Sequence, residues 1–141
     1  MKIRTGNLSL AGEYAAASEL CRRGVYAQLT LGNLKRTDLL ILSEDNKLMR
    51  IEVKSKQGKS WPNCRGIYSE RVVLVFVDWA SKDELERPDF YILTVQDWVD
   101  TVQKDIEIQH SKRPEKVIVM DDQNVPIFTT EINKQGQPSG L

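Results

Sequence analysis

Residues 71–77 read RVVLVFV, apolar at every position after the arginine. A strand this uniformly apolar has no face to offer water, so it must be buried on both sides. A sheet open to solvent on one face is therefore excluded, and helical layers have to cover this strand.

The rest of the chain supplies them. Residues 10–23 carry a helical pattern, with Ser9 able to cap the start and Gly24 to end it. Ala16, Ala17 and Leu20 share one side of that helix, which suits close packing on a sheet. Residues 25–30 alternate as a short strand. Residues 37–42 (TDLLIL) and 48–55 (LMRIEVKS) are strand-like runs separated by the turn-forming cluster SEDNK, a hairpin signal. Residues 89–94 (DFYILT) predict another strand. Residues 95–107 predict a helix with Val95, Trp98, Val99 and Val102 on one face. Residues 117–120 and 125–128 flank DDQN and read as a late hairpin. The order gives an α/β protein with a single central mixed β-sheet flanked by helices. Residues 1–135 form one domain, and 136–141 (GQPSGL) are expected to be a disordered tail.

Composition narrows the function classes. The 141 residues fit one domain. No stretch approaches the roughly 18 consecutive apolar residues of a membrane span, and the N-terminus lacks the apolar run of a secretory signal. Cys21 and Cys64 make no disulfide framework and are expected as free thiols in a reducing cytoplasm. With a single histidine the chain lacks the donors of a common zinc site. Twenty basic residues balance twenty acidic ones, which argues against a dedicated polyanion coat. Locally the balance tips: residues 47–71 hold Lys47, Arg50, Lys54, Lys56, Lys59, Arg65 and Arg71 against only Glu52 and Glu70.

The hairpin carries the chemistry. Side chains alternate along a strand, so Glu52 and Lys54 share a face while Ile51 and Val53 take the other. With the turn centred near Asp45, antiparallel pairing sets Asp38 opposite Glu52 to within one residue. Two carboxylates and an ammonium then crowd one patch. Close carboxylates repel unless a cation lies between them, and hard oxygen donors of this kind suit Mg²⁺. By itself Glu-x-Lys on a strand is more often an ion pair on a solvated face.

Asp38, followed after thirteen residues by Glu52-Val53-Lys54, resembles the motif of the PD-(D/E)xK nuclease superfamily, whose fold is restriction-endonuclease-like. The segment GEYAAASELCRRG is similar to the first helix of archaeal Holliday-junction resolvases and related nucleases. Glu13, Leu20 and Gly24 meet its spacing. The likeness spans residues 9–60 and the strand from Arg71, and Thr37 stands where the family name has proline.

The resemblance implies a Mg²⁺- or Mn²⁺-dependent endodeoxyribonuclease. Asp38, Glu52 and the Val53 carbonyl would ligate the metal, with Glu13 joining directly or through water. Lys54 would act on the attacking water and the phosphate charge. Lys56, Gln57 and Lys59 would contact nucleic-acid phosphates. DNA is the expected partner, with RNA open and a homodimer expected for contact area. The alternative is a catalytically inactive nuclease-fold binding module. Trp61 and Tyr68 are candidates for base stacking or for closing a core edge. Trp79 and Trp98 read as core, His110 as surface, and Glu19 as the poorer helix carboxylate because it faces away from Glu13.

Overall fold

The computed structural model describes residues 2–30, 37–61, 66–67 and 69–112. Its elements are α1 (Thr5–Arg22), β1 (Ala27–Leu29), β2 (Leu39–Leu42), β3 (Leu48–Lys56), β4 (Val72–Asp78), β5 (Asp89–Leu93) and α2 (Val95–Lys112). The strands form one sheet in the order β1-β2-β3-β4-β5. Only β3 and β4 run parallel, and the other neighbours are antiparallel, so the sheet is mixed as expected. The expected hairpin at 117–128, the tail, Cys64 and Tyr68 lie outside the described residues.

Period-two alternation along β3 and β4 divides the core in two. Ile51, Val53, Val75 and Val77 pack with Leu39, Ile41, Ala16 and Ala17 beneath α1. Val72, Leu74 and Phe76 pack with Trp61, Ile67, Leu93, Trp98 and Val102 on the α2 side. The apolar run 71–77 is thus covered on both faces, which is what its composition requires.

Both helices depart from the expected bounds for physical reasons. α1 begins at Thr5, not Leu10, with Arg4 at its N-cap and no side-chain cap. Ser9 lies inside the helix, its hydroxyl directed at the Thr5 carbonyl. Residues 5–9 (TGNLS) are weak helix formers, so propensity hid this turn. The C-terminus behaves as the sequence requires. Gly24 takes φ +83°, its N–H donates to the Cys21 carbonyl, and Val25 N–H reaches back to Leu20. That is the Schellman arrangement, which needs a residue free to adopt the left-handed region.

α2 starts on a capping box. Asp97 N–H donates to Thr94 Oγ1 at 3.3 Å, and Thr94 N–H donates back to Asp97 Oδ2 at 2.8 Å. Trp98 and Val102 face inward as expected, but Val99 is 53% exposed. The buried stripe instead runs through Trp98, Thr101, Val102 and Asp105. That is an i, i+3, i+4, i+7 series, and it leaves Val99 one step outside.

Candidate active site

Asp38 stands where β2 begins, and the backbone there explains its side chain. The ladder pairs Leu39 with Ile51. Yet Asp38 N–H also donates to the Ile51 carbonyl, at 2.9 Å, one residue out of step. Asp38 and Leu39 both oppose Ile51, as in a β-bulge, which re-aims a side chain at a strand end. The one-residue offset allowed for in the sequence is therefore real.

The bulge turns the Asp38 carboxylate onto β3. Arg50 N–H is bonded to the Arg71 carbonyl on the β4 side. Alternation then sends the N–H and C=O of Ile51 and Val53 toward β2. Beyond the end of β2 no backbone carbonyl of the described residues meets Val53 N–H, and Asp38 Oδ2 accepts it at 2.7 Å. The Val53 carbonyl faces the same flank.

Glu52 and Lys54 share the α2 side of β3, opposite Leu74 and Phe76 of β4. Glu52 is only 4% exposed. Lys54 Nζ lies 2.9 Å from Glu52 Oε1 and remains partly open to solvent. Glu13 comes from α1, one residue beyond Gly12, which sits directly on Ser55 of β3.

Electrostatics link the four residues through Asp38. Burial pushes the Asp38 carboxyl up; the Val53 N–H and the Lys54 charge pull against that shift, and Glu52 adds to it. The Glu13 carboxyl is also raised, first by burial and then by the charge of Asp38. The charge of Asp38 acts on Glu13, and the charges of Lys54 and Glu52 act on Asp38. Among the described residues no three of His, Cys, Asp and Glu stand close enough to enclose a metal by themselves.

Two of the flanking candidates, Lys56 and Gln57, are engaged within the chain. Lys56 Nζ is 3.3 Å from Asp78 Oδ2 and lies over the Trp61 ring, 5.0 Å from its centroid. Gln57 accepts from Ile3 N–H at 2.7 Å and donates to the Ile3 carbonyl at 2.6 Å. Lys59 is exposed. Trp61 is buried, edge-on to Phe76 at 4.6 Å. Trp79 packs against the α1-side core, Trp98 is buried, His110 is exposed in the last turn of α2, and Cys21 is an exposed free thiol.

Two features escaped the sequence reading. Glu19 is buried and held by Arg22, Arg23 and Arg87. The arginines at i+3 and i+4 were visible as a pattern, whereas Arg87 arrives from a distant loop. Gly12 was passed over because a glycine inside a helical pattern signals a close approach only once its neighbour is known.

No family model matches the sequence, and no curated protein matches it. Three solved chains match in structure. The five-stranded mixed sheet with its two helices has a nuclease-like fold. One of the matching structures is a bacterial homing endonuclease, I-Ssp6803I, at a TM-score of 0.52 and 18% identity, over 70% of this chain and 74% of that one. At that identity the likeness is one of fold. No helix among the described residues is long and apolar enough to cross a membrane.

Proposed function

We propose that this protein is a metal-dependent nuclease of the PD-(D/E)xK type that hydrolyses phosphodiester bonds in DNA. One observation carries the reading: the Asp38 carboxylate at the bulged start of β2 is bonded to Val53 N–H, between the Glu52 and Lys54 of one ion pair on the same strand. The matching homing endonuclease adds support from fold.

The donor set fits Mg²⁺ or Mn²⁺. Mg²⁺ takes one or two carboxylates, keeps several waters and shares substrate phosphates, so it does not need an enclosing protein cage. Asp38, Glu52 and the Val53 carbonyl would hold it, with Glu13 reaching it through water. Burial first, and a neighbouring carboxylate second, disfavour the charged forms of Glu13 and Asp38, a penalty that a divalent cation would offset. When bound, such an ion lowers the pKa of water and screens phosphate charge.

The chain's own residues do the rest. Lys54, partly open to solvent, would hold the attacking water and neutralise charge that builds on the phosphate. The Glu52 partner holds the ammonium in place. Val53 N–H fixes one Asp38 oxygen. A homodimer would enlarge the contact area of a chain with no net charge.

A second reading, an inactive nuclease-fold binding module, is favoured by the lack of a three-donor cluster among the described residues. The test is incubation of the pure protein with plasmid, single-stranded and branched DNA, and with RNA, with and without Mg²⁺ or Mn²⁺. Cleavage that needs the ion supports the nuclease. Retarded bands in Ca²⁺ without any cleavage in Mg²⁺ or Mn²⁺ would transfer the case to the binding module.

A further inference from the structure

β5 ends the sheet order among the described residues, so one of its flanks is an open edge there. On its α1 side it carries Phe90 and Ile92, paired with Val77 and Val75 of β4. Val75 and Val77 are buried, yet Ile92 is 60% exposed. Between this face and α1 lies a groove with a cavity of about 220 Å³. Ala16, Leu20, Val75, Phe90 and Ile92 make its apolar lining, and Glu19 and Arg23 supply its charge.

The charge is unbalanced. The Glu19 carboxylate is buried, whereas the side chains of Arg22, Arg23 and Arg87 that share it are largely exposed. Three guanidiniums on one carboxylate leave positive charge and free donors facing outward. The acidic residues of the Arg87 loop are turned to other tasks. Asp83 accepts the N–H groups of Leu85 and Glu86, and Glu84 and Glu86 line a different cavity beside Lys2 and Trp79. The groove therefore fits an apolar segment that carries negative charge.

The chain holds such a segment. Residues 117–120 (VIVM) and 125–128 (VPIF) are apolar runs on either side of Asp121 and Asp122. They lie outside the described residues, and apolar runs of this kind gain by leaving water. α2 ends at Lys112, so only residues 113–116 separate it from the first run. α2 follows β5 after Thr94, and Trp98, Val102 and Ile106 pack in turn on the sheet. A helix that starts at the Leu93 end of β5 and stays on the sheet for two turns runs back toward the Asp89 end. Arg87 and Phe90 belong to that end. Four linking residues reach about 17 Å when extended, enough to round the edge of a single strand. We propose that residues 117–128 of the same chain dock in the groove between α1 and β5, their apolar runs on Leu20, Phe90 and Ile92 and their two aspartates on the arginine cluster. The docking does not depend on the nuclease reading.

Thiol labelling of the full chain tests it. Ile92→Cys is combined with Cys21→Ser and Cys64→Ser, so that the groove carries the one thiol. With the segment docked, that thiol should react at least about tenfold more slowly than in the same chain with Ile118→Asp and Val119→Asp, which put a charge on either side of the first run. The slow rate should not change on dilution. Asp121→Lys with Asp122→Lys should speed labelling about threefold, the scale of exposed ion pairs. Melts establish that each chain is folded at the labelling temperature.

Equal rates with and without the substitutions at Ile118 and Val119 would overturn the proposal. A slow rate that rises on dilution would give the groove to a second copy and overturn it too. An unchanged rate in the Asp121→Lys, Asp122→Lys chain would overturn the pairing with the arginines. Should the serine background not fold, melts of Ile92→Asp, of Ile118→Asp with Val119→Asp, and of all three together in the otherwise unchanged chain decide. Docking makes the combined loss smaller than the sum of the separate losses, and an additive loss overturns it.

Discussion

Glu13 and Glu19 lie on the same helix, six residues or about 240° of turn apart, and the fold treats them in opposite ways. Glu19 is buried, and Arg22 of its own helix, the C-cap Arg23 and Arg87 from the β4–β5 loop surround it. The hydrogen bonds from Arg22 and Arg23 hold its carboxyl down at about 2. Glu13 is partly buried beside another carboxylate, and no cation pairs with it among the described residues. Its carboxyl is pushed up by that burial and by Asp38. A buried carboxylate supplied with cations is an anchor. Carboxylates pushed up by burial and by neighbouring carboxylates are a scaffold cost, and such costs collect at functional sites.

If that division holds, variants at the site change chemistry and leave the fold alone, while variants at the anchor do the reverse. The largest expected effect is at Lys54. Lys54→Ala should lower DNA cleavage on the order of 10³-fold, with Mn²⁺ affinity nearly unchanged in calorimetry, because the ammonium acts on water and phosphate. A Lys54→Ala protein that nicks plasmid at the parent rate would move the chemistry elsewhere.

Next is the anchor. Glu19→Gln should lower the melting temperature more than any substitution at Glu13, because it strips charge from a carboxylate shared by three arginines. Nicking by the folded fraction should be unchanged. The pH dependence has a definite sign. A folded carboxyl held at about 2 against an ordinary 4.5 gives stability that is present above 4.5 and lost as pH falls toward 2. Glu19→Gln should flatten that acid limb in melts recorded across this window.

Smaller and opposite in sign are the site carboxylates. Glu13→Gln and Asp38→Asn should each raise the melting temperature of the metal-free protein by about 1–3 °C, since each removes one of two charges that disfavour one another. Both groups have raised folded pKa values. Their penalty is therefore full above the raised values and relieved as pH falls through them. Asp38→Ala is not equivalent to the asparagine. It also leaves Val53 N–H without its acceptor, at a cost of about 1–3 kcal/mol, so it should melt below Asp38→Asn. Identical melts for the two would mean that this hydrogen bond contributes nothing.

The smallest effect separates protons from metal. Mn²⁺ affinity at Asp38 should weaken as pH falls through the raised range, because proton and cation compete for the same carboxylates. Calorimetry at two pH values on either side of that range measures it, and a flat response would place the ion away from both groups.

How much of this was legible in the sequence depended on the range of the interactions. The hairpin was readable because its turn and its alternation are local, and so Asp38 could be set against Glu52 to within one residue. The bulge that supplies that residue was not, because it depends on β2 ending where Val53 N–H still needs an acceptor. Gly24 announced the end of α1, and the Thr94–Asp97 box was available to announce the start of α2. The start of α1 was hidden because Gln57, far along the chain, holds Ile3 in place of a local cap. Val99 was assigned to the packed face because apolar spacing cannot reveal that Thr101 and Asp105 are the buried neighbours. Glu19 was read only as the poorer helix carboxylate, and its anchoring role was hidden because one of its three arginines is sixty-eight positions away.

The central claim is that Asp38 belongs to a cation site and Glu19 to the scaffold. Calorimetric titration of Mn²⁺ into the parent, Asp38→Asn and Glu19→Gln tests it most directly, at a temperature where melts show all three folded. The parent and Glu19→Gln should bind with the same affinity, and Asp38→Asn at least about tenfold more weakly. Equal binding by the parent and Asp38→Asn, or a loss of binding in Glu19→Gln alone, would contradict it.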